Sequence, residues 1–444
     1  MKLKRSLNTV SLVAILYFTV SGGPFTTEGL IHDVGPGLGL LLLLLVPIVW
    51  SLPEALIVGE LASMLPEEGG YYRWVERAFG PFWAFQNGWL TWMYSLVDMA
   101  LYPLLFLAYL DYFVPGLAPM ERWGIALAMI WGATTINLFG SLRVGRSSIV
   151  SGLFIVAGFL VVTVVALFHA KHAPWVPFGK PGQSTGQGIA VGLSLALWNY
   201  IGWDNASTVQ GEVRDATRSY PRALAITLPL VTLGYLLPLV ATLGASDWRT
   251  WTDGSWPEIA RAATGAWGPA LAVVVALAGV VSALGLFNAL LLAYSRIPFV
   301  MADDGFLPAA LARTDANGTP VNAVLVSAAC YSVFVLVPFG RLVVADVVLY
   351  SLALFLEFGS LIALRRREPG LRGAFRIPVG RGGVIALAVV PMSILLFLVY
   401  EGLVGGDYAW PALAGSAVAV ACGPLWFYFA ARTPRGARRL QGRL

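Results

Sequence analysis

Twelve stretches of mostly apolar residues, separated by short polar loops, run along the chain from residue 8 to residue 430. A helix needs about 20 such residues to cross a bilayer. The pattern therefore predicts twelve spans: 8–34, 37–63, 81–113, 121–140, 147–168, 187–210, 222–243, 268–295, 321–339, 342–364, 383–403 and 409–430. Pro81 opens the third span, Pro115 lies just past it, and Pro369, Gly370 and Pro378 punctuate the loop before the eleventh. The first stretch is not uniform. After LVAILYF (12–18) it runs into VSGGPFTTEGL (20–30), where glycines and a proline interrupt the apolar run and a glutamate follows. One reading is a helix that ends at Ser21 in a loop. The other is a helix broken inside the membrane, which needs protein or a polar cavity around it because unpaired backbone groups are costly in hydrocarbon.

Composition supports the membrane setting. Of the 444 residues 58% are hydrophobic and only 12% charged, where a soluble chain is about a quarter charged; mean hydropathy is +0.74. Apolar segments recur to the C-terminal region, which excludes a lone secretory signal. Cys330 and Cys422 both lie in apolar runs, and His169 and His172 share a loop. Neither a disulfide framework nor a metal site is expected. The basic balance, pI about 9.2, is explained by where the charges fall. With a cytoplasmic N-terminus, 23 of the 29 Lys and Arg residues lie in cytoplasmic segments. Only Arg122, Lys171, Lys180, Arg249, Arg261 and Arg341 lie outside. That asymmetry is the positive-inside rule, and one miscounted span would destroy it. Arg365, Arg366 and Arg367 are read as a topology signal rather than a headgroup or nucleic-acid site.

Ionisable groups within spans cost about 2.5–3.5 kcal/mol each at mid-helix and mark candidate sites. Those expected here are all acidic: Glu28, Glu54, Glu60, Asp98, Asp204, Asp346 and Glu357. No Lys, Arg or His falls securely within a span to pair with them. Such a set suits a cationic substrate, a proton or a metal ion. Glu60, near the cytoplasmic end of its span, is expected to reach solvent or a loop arginine, and Asp346, at the start of its span, to be interfacial. Glu357 fits a packing contact or part of a gate. Asp98 and Asp204 are mid-span and beside aromatic residues. The stretch LALWNYIGWDNASTVQGE (195–212) sets Asn199, Gly202, Asp204, Asn205 and Ser207 in an apolar segment, which makes sense if this helix also unwinds. Interruptions in the first and sixth spans, five apart, point to a transporter site built on inverted repeats.

Five stretches carry a resemblance to a known family. VSGGPFTTE (20–28), PEALIVGELASMLPEEGGYYRWVERAFGPFWAFQNGW (53–89), VDMALYPLLFLAYL (97–110), WDNASTVQGEV (203–213) with SYPRAL (219–224), and SRIPFVMADDGFLP (295–308) with TPVNAVLVSA (319–328) together resemble the amino acid–polyamine–organocation transporter superfamily. Within it they look like the polyamine-uptake branch related to the L-type amino acid transporters. The resemblance covers residues 8 to about 365.

It implies an all-α membrane protein forming one transporter domain across 1–444. Two inverted five-helix repeats (8–168 and 187–364) have helices 1 and 6 broken at the site, followed by peripheral helices (383–430) and a basic cytoplasmic tail (431–444). The site it implies comprises Ser21, Gly22, Gly23, Phe25, Glu28, Asp98, Tyr102, Tyr200, Gly202, Trp203 and Asp204. A substrate carboxylate would meet the Gly22, Gly23 and Phe25 amides, an ammonium the carbonyls around Val20 and Ile201, and Pro24 would start the second half-helix. A polyamine has no carboxylate, so it needs extra acids and aromatic faces, here Glu28, Asp98 and Asp204 with Phe25, Tyr94, Tyr102, Tyr200 and Trp203.

The fifth span has no Lys, and Ser282 and Asn288 alone are too few for a sodium cage. A proton carried on Glu28, Glu54 or Asp98 is therefore the preferred coupling, since a carboxylate without a cationic partner in a dry cavity binds a proton readily. The expected function is proton-coupled uptake of amino acids or polyamines across the cytoplasmic (inner) membrane by alternating access. Substrate-for-substrate exchange is the alternative. Expected partners are the small-molecule substrate, protons and the lipid bilayer, with no nucleic acid and no cofactor. An enzyme would need a nucleophile–base or metal constellation, and none is found. A channel fits poorly with interrupted helices. A transporter-like amino acid sensor would be expected to add a domain, and fourteen residues follow Ala430. In the outer loop 245–268 the tryptophans fit an interfacial belt better than a lid.

Overall fold

A computed structural model describes residues 5–316, 318–335, 339–404 and 409–442, without the side chains of 339–345, 347, 398, 399, 401–404 and 409–413. Lys2, Lys4, Arg443 and the Arg341 side chain in the charge pattern, and the end of the ninth expected span, lie outside the described residues. Among them the protein is all-helical, with one isolated bridge between Leu7 and Val213.

The first expected span is two helices, α1 (Thr9–Val20) and α2 (Thr27–Val34). The second is one rod, α3 (Pro36–Val46), a π-helical turn (Pro47–Ser51) and α4 (Leu52–Met64). A short α5 (Tyr71–Phe79) precedes α6 (Pro81–Leu110), α7 (Pro119–Leu138) and α8 (Ser141–Leu167). The sixth expected span is α9 (Thr185–Trp198), an unwound stretch, then a 3₁₀ helix (Asn205–Glu212) rather than an α-helix. Next come α10 (Ala216–Ala245), a short α11 (Trp256–Ala263) and the long α12 (Gly268–Asp303). The chain continues through α13 (Val321–Phe334), α14 (Phe339–Arg367), α15 (Arg381–Val404), α16 (Ala409–Ala431) and α17 (Pro434–Leu440). Among the described residues seven helices are long and apolar enough to cross a membrane by length and composition.

The core is built by α6 and α12, which pack on each other, with α8 on α12 and α14 on α6. The unwound stretches lie between these helices. At the first, Ser21 and Gly22 both donate their N–H to Tyr17 O, at 2.9 and 3.0 Å. Gly22 and Gly23 take φ of +66° and +120°, conformations that side chains other than glycine rarely adopt. Helix resumes at Thr27, three residues later than Pro24. Phe25 and Thr26 form the turn between, with Thr26 left-handed at φ 75°. At the second, Gly202 has φ +98°, and a Cβ there would sit 2.4 Å from Thr19 O. The two breaks therefore touch.

Several expectations change with helix length. α12 runs past residue 295, so Arg296 is helical, fully buried and paired with Glu212 at 2.8 Å. Arg365, at the end of α14, is 6% exposed and forms a two-pronged pair with Glu60. Basic side chains thus do pair with two buried acids, both at one end of the bundle. That end also gathers the first described residues, through Ser6 and Leu7 on Glu212 O, and the last helix, through Arg439 on Glu76 and Asp304.

Gly202→Ala should strain the contact between the two breaks by about 1–3 kcal/mol. Thermal unfolding of the detergent-purified chain should therefore shift down by several degrees. An unchanged midpoint would mean that the breaks do not depend on this close approach.

Candidate functional site

Between the two breaks lies a narrow slot with about 30 Å³ of free space, room for about two water molecules. Its walls come from four directions. The first break supplies Ser21, Phe25 and Thr26, and the second Asn199, Gly202 and Asn205. One stripe of α6 supplies Tyr94, Asp98 and Tyr102, spaced four residues apart so that they share a face. α12 adds Tyr294, and α14 adds Asp346 and Tyr350, again one turn apart. Tyr94 packs edge-on against Tyr294 and Tyr350, with centroids 5.5 and 5.4 Å apart.

Asp98 accepts hydrogen bonds from Tyr102 at 2.7 Å and Tyr294 at 2.9 Å, one on each oxygen. Asp346, expected at the interface, is 1% exposed and lines the slot. The cause is the length of α14. It begins at Phe339, which sets Asp346 seven residues in, about 10 Å along the axis.

Of the residues expected to bind substrate, Ser21, Phe25, Asp98, Tyr102 and Gly202 line the slot. Gly22 and Gly23 shape the break behind it, and their amides are occupied. Gly22 N–H donates to Tyr17 O and Gly23 N–H to Ser21 Oγ at 3.1 Å. Tyr200 donates to Leu43 O at 3.0 Å, and Trp203 is fully buried and does not line the slot. Asp204 lies behind Tyr350, whose hydroxyl oxygen is 2.8 Å from Glu54 Oε1 and 3.1 Å from Asp204 Oδ1 and accepts the Gly202 N–H at 3.2 Å. Glu357 accepts from Asn87 at 3.3 Å.

Glu28 also lies off the slot. Its Oε1 accepts both the Tyr109 hydroxyl and the Gly254 N–H, each at 2.9 Å. Gly254 belongs to the aromatic loop that was expected to form a belt. Instead Trp248, Trp251 and Trp256 are buried, and Trp256 Nε1 donates to Pro24 O at 2.8 Å. The loop is a cover seated on the first break, and Glu28 holds it down. Only Trp267, at 65% exposure, fits the belt. In the same loop, burial and the neighbouring Asp33 carboxylate hold Asp253 above the usual carboxylate range.

The profile of a protein family described as amino acid permease matches residues 7–421. The chain belongs to the amino acid permease family. It is similar to polyamine transporter PUT1 of Oryza sativa subsp. japonica, 35% identical over 396 residues that cover 88% of this chain and 73% of that protein. It is also similar to polyamine transporter RMV1 of Arabidopsis thaliana, 33% identical over 394 residues, 88% of this chain and 79% of that one. This permease is therefore a multi-pass membrane protein of a transport family and not an enzyme.

Sequence reasoning missed Tyr294, Tyr350 and the position of Asp346 in this permease. Asp346 and Tyr350 repeat the Asp98 and Tyr102 spacing, an acid followed one turn later by a tyrosine, and that repeat was the available signal.

Because one oxygen of Glu28 takes both the Tyr109 hydroxyl and the cover's Gly254 N–H, an amide should replace it. In a Cys330→Ser, Cys422→Ser background, thiol labelling of Ser255→Cys should be unchanged by Glu28→Gln and several-fold faster with Glu28→Leu. Equal rates in both would show that Glu28 does not anchor the loop.

Proposed function

We propose that the chain is a polyamine permease working by alternating access. Its two inverted five-helix repeats contain the breaks, its twelve spans lie in the cytoplasmic (inner) membrane, and both termini are cytoplasmic. One observation carries the substrate reading: the charged side chains lining the slot are Asp98 and Asp346, both acidic. An ammonium group finds a carboxylate held by two tyrosines, aromatic faces for cation–π contact and the carbonyls around Val20 and Ile201. An amino acid's carboxylate would find the Gly22 and Gly23 amides already bonded within the break and would sit beside two acids. Relatives named as polyamine transporters over most of the chain support the same reading.

Uptake is coupled to protons on this reading, and Glu54 with Asp204 is the proton-holding pair. A tyrosine hydroxyl has one hydrogen. The Tyr350 oxygen is within hydrogen-bond distance of both carboxyl groups, so both contacts are satisfied only when one carboxyl carries a hydrogen of its own. Glu357 adds a third acid nearby, and among the described residues no basic side chain is bonded to any of the three. Exchange of one substrate for another would use the same slot without the proton step.

Proteoliposomes with an inward proton gradient should accumulate labelled putrescine and spermidine but neither leucine nor phenylalanine. Accumulation of leucine instead would overturn the substrate reading. Asp98→Asn removes a charged hydrogen-bond partner worth roughly 1.5–3 kcal/mol, so polyamine affinity should fall roughly ten- to a hundredfold.

Glu54→Gln should keep counterflow of labelled for unlabelled putrescine while losing accumulation against a gradient. Retention of both activities would move the proton elsewhere.

A further inference from the structure

Asp98 and Asp346 line one slot in different states of satisfaction. Both oxygens of Asp98 accept tyrosine hydroxyls. Both oxygens of Asp346 are buried without a hydrogen-bond partner, although the residue is 1% exposed and borders the space between the breaks. Buried carboxylates are ordinarily paired or hydrogen-bonded, because an uncompensated charge out of water is strongly unfavourable. No lysine, arginine or histidine borders the slot among the described residues. Tyr350, one turn further along α14, directs its hydroxyl to Glu54 and Asp204 and leaves Asp346 unserved.

We infer that Asp346 is a second ammonium subsite, so that the site takes a molecule with two ammonium groups joined by an apolar chain, one end on Asp98 and the other on Asp346. This deepens the polyamine reading and rests on it. A monoamine would neutralise one carboxylate and leave the other bare beside it. A diamine neutralises both, and its methylenes lie along Tyr94 and Tyr102. With room for about two waters in this arrangement, the slot must widen to admit such a chain. Asp346 is thereby a specificity-determining residue: it sets how many charges the ligand must carry, while Asp98 binds the first.

Thermal-shift titration of the detergent-purified full chain tests this with putrescine, spermidine and n-butylamine. In the wild type, putrescine should stabilise at a concentration at least about tenfold below that of n-butylamine, the size of one charge-assisted contact. Asp346→Asn should bring the two within about twofold, chiefly by weakening putrescine. Asp346→Glu keeps the charge and should keep the preference for the diamine, which separates loss of a subsite from loss of folding. An unchanged ratio in Asp346→Asn would overturn the inference and assign Asp346 a buried proton. So would a wild type that binds putrescine and n-butylamine alike. A wild type that binds neither amine but binds a neutral amino acid would sink the polyamine reading and this inference together.

Discussion

Unpaired backbone in an apolar surrounding is the constraint on which this structure depends. Two helices stop inside the bundle, and each exposed N–H or C=O would cost several kcal/mol in hydrocarbon. Several of these groups are met by specific partners. The Asn199 carbonyl receives Tyr235 at 2.7 Å, the Trp203 carbonyl receives Tyr220 at 3.0 Å, and the Gly202 amide reaches Tyr350. On the other break, Gly22 O receives Ser282 at 2.6 Å, and Pro24 O receives both Trp256 and Thr27. Thr26 bridges to Asn199 at 3.0 Å. The surrounding helices are thus fixed around the breaks by the groups they must satisfy, and the slot is what remains between them.

The same logic sorts the charges. Acids sit at the breaks, and the buried bases sit at the end where the chain begins. Arg296 with Glu212 and Arg365 with Glu60 are pairs with both members almost fully buried. Removing one member of such a pair typically costs about 3–5 kcal/mol, so these contacts lock that end in the observed arrangement. Each pair ties a core helix to an element it does not precede in sequence: α12 to the 3₁₀ segment, and α14 to α4. Arg439 on α17 adds a third tie, to Glu76 on α5 and Asp304. Slot and lock are mechanically linked because α12 and α14 contribute to both.

Much of this was legible in the chain. Apolar run length located the helices, and Gly22–Gly23–Pro24 located the first break to within a few residues, because glycine and proline act through local backbone geometry. The polar run after Asn199 located the second for the same reason. What was not legible depends on where helices end. Asp346 was misplaced because α14 starts earlier than its apolar run, and Arg296 because α12 ends later. The tryptophans of loop 245–268 were misread because composition is the same for a belt and a cover, and only their burial, with Trp256 on Pro24, distinguishes the two. Tyr294 and Tyr350 belong to helices far apart in sequence from α6, so no local spacing could show that they meet Tyr94.

On the proposed reading, the orphan carboxylate explains why closure and loading go together. A slot with about 30 Å³ of space cannot hydrate two ionised acids, and bare charges out of water are strongly unfavourable. The empty site therefore closes less readily than the loaded one, whose acids meet the substrate's own charges. An empty, ionised carrier is held open by the water its acids require. The difference between loaded and empty sites follows from two features that are independent in sequence, an acid with nothing to bond and a cavity with room for only about two waters.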